Sequence, residues 1–328
     1  MRIRSVAVIA VLAVGVLLAG CSGGAAAAPA APRASGSAAA YTFQNCDTKV
    51  TIPAPPKRVI AIKSTSTEMM LALGVGDRII GTAYQDGPVP ATWAATMKTI
   101  PSLSAFMPSE ESVLAKKPDL VYSGWESAFS SDQAGTRSEL ASLGVASYVQ
   151  PAACRSTPVA KLTFPEVFRE IDQAGRIFGV EAAARTVVTA QKKRLAGIHR
   201  DPRGLSALWY SSGDDVPYVG AGTGAPELIM ETVGLKNIAA DQKQTWTTLG
   251  WESVVAANPD VIILVDADWN TAKAKIQKLE TDPATANLTA VKEHRFITIP
   301  FPESEAGVRS IDAATSIAAQ LAKLRIGS

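Results

Sequence analysis

The run Glu111-Ser112-Val113-Leu114-Ala115-Lys116-Lys117-Pro118-Asp119-Leu120-Val121 returns later in the chain as Glu252-Ser253-Val254-Val255-Ala256-Ala257-Asn258-Pro259-Asp260-Val261-Ile262, with six of eleven positions identical. In each copy the apolar residues recur at helical spacing, and a proline stops the helix. A continuous apolar run follows, Leu120 to Tyr122 in the first and Val261 to Val265 in the second. Each run opens into a loop carrying a tryptophan, Trp125 or Trp269. A helix-strand unit used twice in one chain predicts two similar lobes facing each other.

The 328 residues are enough for two cores, and 47% hydrophobic with 19% charged residues is a globular composition. A formal net charge of +2 indicates no broad basic surface for nucleic acid. His199 and His294 are the only histidines, which argues against a multi-histidine metal centre, and no metal ligands are assigned.

The first residues read as an address. Arg2 and Arg4 precede an apolar run from Val6 to Leu18, short for a membrane span and flanked like a secretory signal. Leu18-Ala19-Gly20-Cys21 resembles the lipobox of bacterial lipoproteins, which implies cleavage before Cys21 and a lipid on its thiol. Residues 1–20 are then a signal peptide. Residues 21–40, nearly all Ala, Gly, Ser and Pro, are a flexible tether. Export places Cys46 and Cys154 in an oxidising compartment, where they are expected to pair and add on the order of 2–4 kcal/mol.

Beyond the tether, Tyr41 to Thr51 reads as two short strands about a turn at Asn45 to Asp47, and Arg58 to Ile62 as a β-branched strand. A helix through Leu73 ends at Gly74; Thr65 and Glu68 have the spacing of a capping box at its start. Helices then alternate with short apolar strands, which argues for parallel sheets covered on both faces. Phe164 to Phe178 and Val180 to His199 are helical stretches parted by Gly179; the second, rich in helix formers, is long enough to act as a strut between lobes. After Pro202 the alternation restarts, closing with a helix from Ser310 to Leu324. The expected fold class is α/β, two Rossmann-like lobes with parallel sheets joined by one long helix. The N-terminal lobe occupies 41–165, the helical connection 166–200 and the C-terminal lobe 201–328.

The lipobox, the repeated helix-Pro-Asp-strand unit, the strut and the element order together resemble the class III substrate-binding proteins of ABC importers, the Fe/B12 type. The resemblance covers the chain from about Arg58 to its C-terminus. It implies a monomeric, lipid-anchored receptor on the extracytoplasmic face of the bacterial membrane, held through lipid on Cys21. Such a receptor captures a ferric siderophore, haem or corrinoid in a cleft between the lobes and delivers it to a permease and its ATPase. It further implies no catalytic residues, no cofactor beyond any metal inside the ligand, and limited hinge motion. One acidic residue per lobe docks on the permease in such proteins. Glu68, six residues before Gly74, and Glu231, three before Gly234, match those positions. The capping box competes for Glu68, and a solvated helix face, with Glu227 nearby, competes for Glu231.

Ligands of open α/β sheets bind beyond the carboxyl ends of strands. That rule nominates Lys63, Ser64, Tyr84, Trp125, Glu126, Tyr210, Ser211, Trp246, Trp269 and Arg309, whose aromatic faces can stack on a ligand while Lys63 or Arg309 neutralises its anionic groups. Arg309 has Glu303 and Glu305 as alternative partners. Ala207 to Gly213 and Glu305 to Arg309 also look like an actinobacterial branch linked to the phosphate-bearing deazaflavin precursor F420-0. A surface enzyme or chelatase on the same fold is the alternative from another class. Gly220, Gly222 and Gly224 approach a dinucleotide fingerprint, but the spacing departs from it and no acidic partner follows.

Overall fold

The Pro-Asp pair shared by the two repeats begins a strand and ties it to its neighbour. Asp119 accepts hydrogen bonds from the backbone N–H groups of Lys57 (2.8 Å) and Arg58 (3.0 Å). Asp260 accepts from the backbone N–H and the hydroxyl of Ser206, both at 2.8 Å. In each lobe a carboxylate thus satisfies donors at the start of the adjacent strand, which explains why the sequence repeats there.

The computed structural model describes residues 40–157 and 160–326. The signal peptide, Cys21 and nearly all of the tether lie outside the described residues. The first lobe comprises β1 (Tyr41–Asn45), β2 (Thr48–Ile52), β3 (Val59–Ile62), α1 (Ser64–Ala72), β4 (Ile79–Ala83), α2 (Ala91–Met97), β5 (Ser102–Ser104), α3 (Glu110–Leu114), β6 (Leu120–Ser123), α4 (Arg137–Ser142) and β7 (Ala146–Val149). Helices α5 (Phe164–Phe178) and α6 (Glu181–Ala196) follow. The second lobe comprises β8 (Ser206–Ser212), β9 (Tyr218–Gly220), α7 (Ala225–Val233), β10 (Lys236–Asn237), β11 (Trp246–Thr248), α8 (Trp251–Ala257), β12 (Val261–Asp266), α9 (Ala272–Thr281), α10 (Thr289–Lys292), β13 (Phe296–Pro300), α11 (Phe301–Ser304) and α12 (Ser310–Leu321).

The first sheet runs β5-β4-β3-β6-β7 and is parallel throughout. Its strands bury both faces: Val59 and Ala61 face one apolar cluster, Ile60 and Ile62 the other. The second sheet, β11-β9-β8-β12-β13 with β10 also on β8, corrects the all-parallel expectation. Its β9 and β11 are antiparallel additions. β9 turns back on β8 as a hairpin, whereas β11 joins β9 only after α7 and β10 intervene; this edge carries Tyr218 and Trp246.

The connection between lobes is a helix hairpin, α5 and α6, parted at Gly179. Helix α5 starts with a capping box, Thr163 with Glu166, and ends at Gly179 in the left-handed region (φ 65°). Gly175 lets Ala184 of α6 pack against α5: a Cβ there would lie 2.5 Å from the Ala184 methyl. Helix α6, 16 residues and about 24 Å long, is the element that crosses. Only Ala184, Val188 and Gln191 are buried along it. Its far end reaches the second lobe through Gln191 Nε2 to the Val308 carbonyl (2.8 Å) and Arg194 to Asp312 (2.6 Å). One apolar cluster continues from Val59 and Tyr122 through α5 to Trp209, Ile263 and α12. Such a shared core resists wide opening.

Cys46, in the β1–β2 turn, and Cys154, beyond β7, form a disulfide. No helix among the described residues is long and apolar enough to cross a membrane.

Candidate functional site

The carboxyl ends of the two sheets meet along one segment of the second lobe, residues 301–309. Phe301 lies between the tryptophans of the two repeats, its ring centroid 6.2 Å from Trp125 and 5.5 Å from Trp269. Gln150 Nε2 donates to the Ala306 carbonyl and Arg309 reaches Glu68, so the same segment is hydrogen-bonded to the first lobe at two points. Beside it opens a cavity of about 230 Å³, lined by Trp125, Ser127, Ala152, Ala153, Cys154 and Arg155 from the first lobe and by Ser211, Ser212, Tyr218, Thr245, Trp246, Trp269, Phe301 and Glu305 from the second. Hollows of about 590 Å³ beside the disulfide and beneath Pro53 to Pro56 are larger, but neither gathers aromatic faces from both lobes.

Lys63 does not line the cavity; it is buried against two of the rings that do, Trp125 and Phe301. It follows β3 with φ 76°, a conformation that side-chain-bearing residues rarely hold without support. Gly124 supplies that support, since a Cβ there would come within 3.0 Å of the Lys63 Cβ and 2.2 Å of the Thr65 hydroxyl. The buried ammonium pairs with Asp86 and sits 3.9, 3.7 and 4.7 Å from the ring centroids of Tyr84, Trp125 and Phe301. Burial pushes its pKa down from the usual lysine range, while Asp86 opposes that shift. Ser64 is buried and accepts the Asp86 backbone N–H at 2.8 Å, so it anchors Asp86 and does not line the cavity.

Of the residues nominated from sequence, Trp125, Ser211, Trp246 and Trp269 line the cavity. Tyr84 (φ 50°) stands behind Trp125, ring centroids 5.5 Å apart. Trp246 stacks on Tyr218 (5.9 Å, 14°). The glycine turn serves this wall: at Gly222 a Cβ would fall 1.9 Å from the Ala240 carbonyl oxygen, so the turn holds the 240–246 segment and leaves no cradle for a phosphate. Lys275, buried, donates at 2.6 Å to the carbonyls of Val265 and Asn270 and pins the loop that presents Trp269.

Four further expectations are corrected. Tyr210 is buried against Trp251, its hydroxyl donating to the Gly213 carbonyl at 2.7 Å, and is core. Glu126 holds the wall from behind, accepting from the backbone N–H groups of Arg155 and Ser156 and from the Ser156 hydroxyl. Arg309 faces away from the cavity, donating to Glu68 (3.1 Å), Glu303 and Asp312 (2.8 Å). Glu68 is neither a capping residue nor a rim carboxylate: it is 1% exposed between the lobes, and no capping box forms with Thr65. Burial pushes its acid up to about 7, with Arg309 pulling it only partly back. Glu231 does stay on the surface, 49% exposed and bridged by Lys161, which also reaches the buried Glu227 at 3.3 Å.

Asp86, Tyr218, Phe301 and Glu305 were missed. Gln85-Asp86-Gly87 reads as an ordinary turn, and Phe301 hides between two prolines. Yet Phe301 directly follows β13, so the rule that nominated Trp125 would have found it.

A periplasmic binding protein family model matches residues 59–303. The chain belongs to that family. Among the binding protein's relatives is the uncharacterized ABC transporter substrate-binding lipoprotein YvrC of Bacillus subtilis, 26% identical over 318 residues and covering 94% of each chain. The cobalamin-binding protein of Halobacterium salinarum is 27% identical over 272 residues, 76% of this chain and 67% of its own. A solved structure from Saccharomonospora viridis, of an ABC-type Fe3+-hydroxamate transport system, superposes with a TM-score of 0.73 at 27% identity, covering 86% of this chain and 98% of that one. The binding protein is therefore a solute-binding component of ABC import.

One buried acid, Glu170, lies behind the cavity wall at Ala152. Glu170 of α5 accepts the Ala152 N–H at 2.7 Å, while its second oxygen and the Gln150 Oε1 are buried without a partner. Burial pushes the acid up to about 8, and Gln150 and Ala152 only partly offset this. Protonation removes the charge from a carboxyl whose second oxygen has no partner. Because the folded state holds this proton more tightly than the unfolded chain, the stabilisation is complete below about pH 4.5 and is lost as pH rises through 8. Glu170→Gln is expected to remove on the order of 3 kcal/mol of that pH dependence, read as urea midpoints between pH 5 and 9. Parallel profiles for variant and parent would refute it.

Proposed function

We propose that the binding protein captures a ferric siderophore, haem or corrinoid in the interlobe cavity and releases it to a permease without making or breaking a bond. The supporting observation is the convergence of Trp125, Trp269, Phe301, Trp246 and Tyr218, from both lobes, on one cavity at the strand ends. Relatives named for cobalamin and Fe3+-hydroxamate fit that chemistry. Haem held through histidine fits less well, since neither His199 nor His294 lines the cavity. The protein acts as a monomer anchored through lipid on Cys21 at the outer face of the cell membrane, and Glu231 presents a docking carboxylate there.

The test is quenching of tryptophan fluorescence by ferric hydroxamates, cobalamin, haem and F420-0. Trp269→Ala and Trp125→Ala are each expected to weaken the ligand that binds by about tenfold or more, as loss of a stacked ring does. Trp93→Phe, remote from the cavity, is the control. Saturable binding unaffected by both cavity substitutions would remove this site from the reading. In a reconstituted transporter, Glu231→Lys should lower ATPase stimulation while leaving ligand affinity unchanged.

A further inference from the structure

Charge is distributed unevenly along the cavity, and the distribution points to one end of the ligand. Glu305 is the one carboxylate and Arg155 the one cation among the described residues that line it. Arg155 is exposed at the mouth, whereas Glu305 is largely enclosed, on the segment that joins the lobes. Glu303, two residues earlier, is bound by Arg309; Glu305 has no such ion pair among the described residues. The Lys63 ammonium is already matched by Asp86. That ammonium nevertheless demonstrates what the walls accept: it rests 3.7 Å and 4.7 Å from the centroids of Trp125 and Phe301, two of the rings that also face the cavity. Trp246, Trp269 and Tyr218 complete the enclosure. Aromatic faces around a carboxylate are the chemistry of ammonium recognition.

Resting on the reading of this cavity as the ligand site, we propose that Glu305 receives a cationic group of the ligand, an ammonium or protonated amine enclosed by the tryptophans, while Arg155 at the mouth faces the ligand's anionic or solvent-facing end. Glu305 is then the specificity-determining residue that separates amine-bearing ligands from neutral ones of the same shape. Burial pushes its acid up to about 7, with Lys63 pulling it partly back, so an arriving cation draws the carboxyl into its ionised form.

The experiment follows indole N–H resonances of the 15N-labelled protein, assigned by single Trp→Phe substitutions, during titration with butylammonium and with neutral butanol. Saturable shifts of Trp125, Trp246 and Trp269 with butylammonium, much smaller shifts with butanol, retention in Glu305→Asp and loss in Glu305→Gln are expected. Equal response to both probes, or a butylammonium response surviving in Glu305→Gln, overturns the inference. A second arm compares a linear ferric trihydroxamate ending in a free amine with the same chelate N-acetylated. About tenfold preference for the free amine is expected, lost in Glu305→Gln. Binding of both chelates with equal affinity also overturns the inference. Should neither chelate bind, the hydroxamate reading fails, and the butylammonium titration alone decides the role of Glu305.

Discussion

Arg309→Ala is expected to cost about 3–5 kcal/mol of folding stability, measured by urea denaturation at pH 8. The guanidinium is shared by Glu68, Glu303 and Asp312, and the first two are buried with one carboxylate oxygen each lacking any partner. Removing the cation strands two enclosed carboxylates. The loss should shrink toward pH 5, because Glu68, already pushed up to about 7, escapes the penalty by taking a proton. Replacing the set together, Glu68→Gln, Glu303→Gln and Arg309→Met, should recover most of the stability, since what is costly is the unmatched charge and not the absence of an ion pair. An Arg309→Ala protein as stable as its parent at pH 8 would show that these contacts carry no weight in holding the lobes.

Loss of the Cys46–Cys154 bond is expected to lower stability by about 4 kcal/mol, near the upper part of the usual range because the closed loop is long, with a sequence separation of 108. The effect should extend to binding. Cys154 and its neighbours Ala152, Ala153 and Arg155 form one wall of the cavity, and the bond ties that wall to the β1–β2 hairpin. The double variant Cys46→Ala, Cys154→Ala should therefore unfold at lower urea concentration and hold ligand more weakly, whereas reductant should leave it unaffected. Unchanged midpoints for parent protein with and without reductant would contradict the assignment.

Much of the architecture can be read from local pattern. Helix α7 has Pro226 in its first turn and stops at Gly234, local signals that set its ends through backbone geometry. The Pro-Asp repeat marks two equivalent strand starts for the same reason: one carboxylate must satisfy the donors next to it. The antiparallel edge β9–β11 was not legible, since three-residue strands carry too little periodicity to reveal direction.

The residues alone determined the alternation of helix and strand, the doubling of the αβ unit and the placement of Trp125 and Trp269 at strand ends, all consequences of spacing within a few turns of chain. Only the tertiary structure decided which charges meet. Glu68 and Arg309 stand 241 positions apart, and each is locally indistinguishable from a solvated helix residue. Their burial against one another follows from two sheets closing on a common segment, and so does the contrast between Glu303, which is neutralised, and Glu305, which is left facing the cavity. Pairing at that range depends on the shape of the whole fold, and no window of sequence contains it.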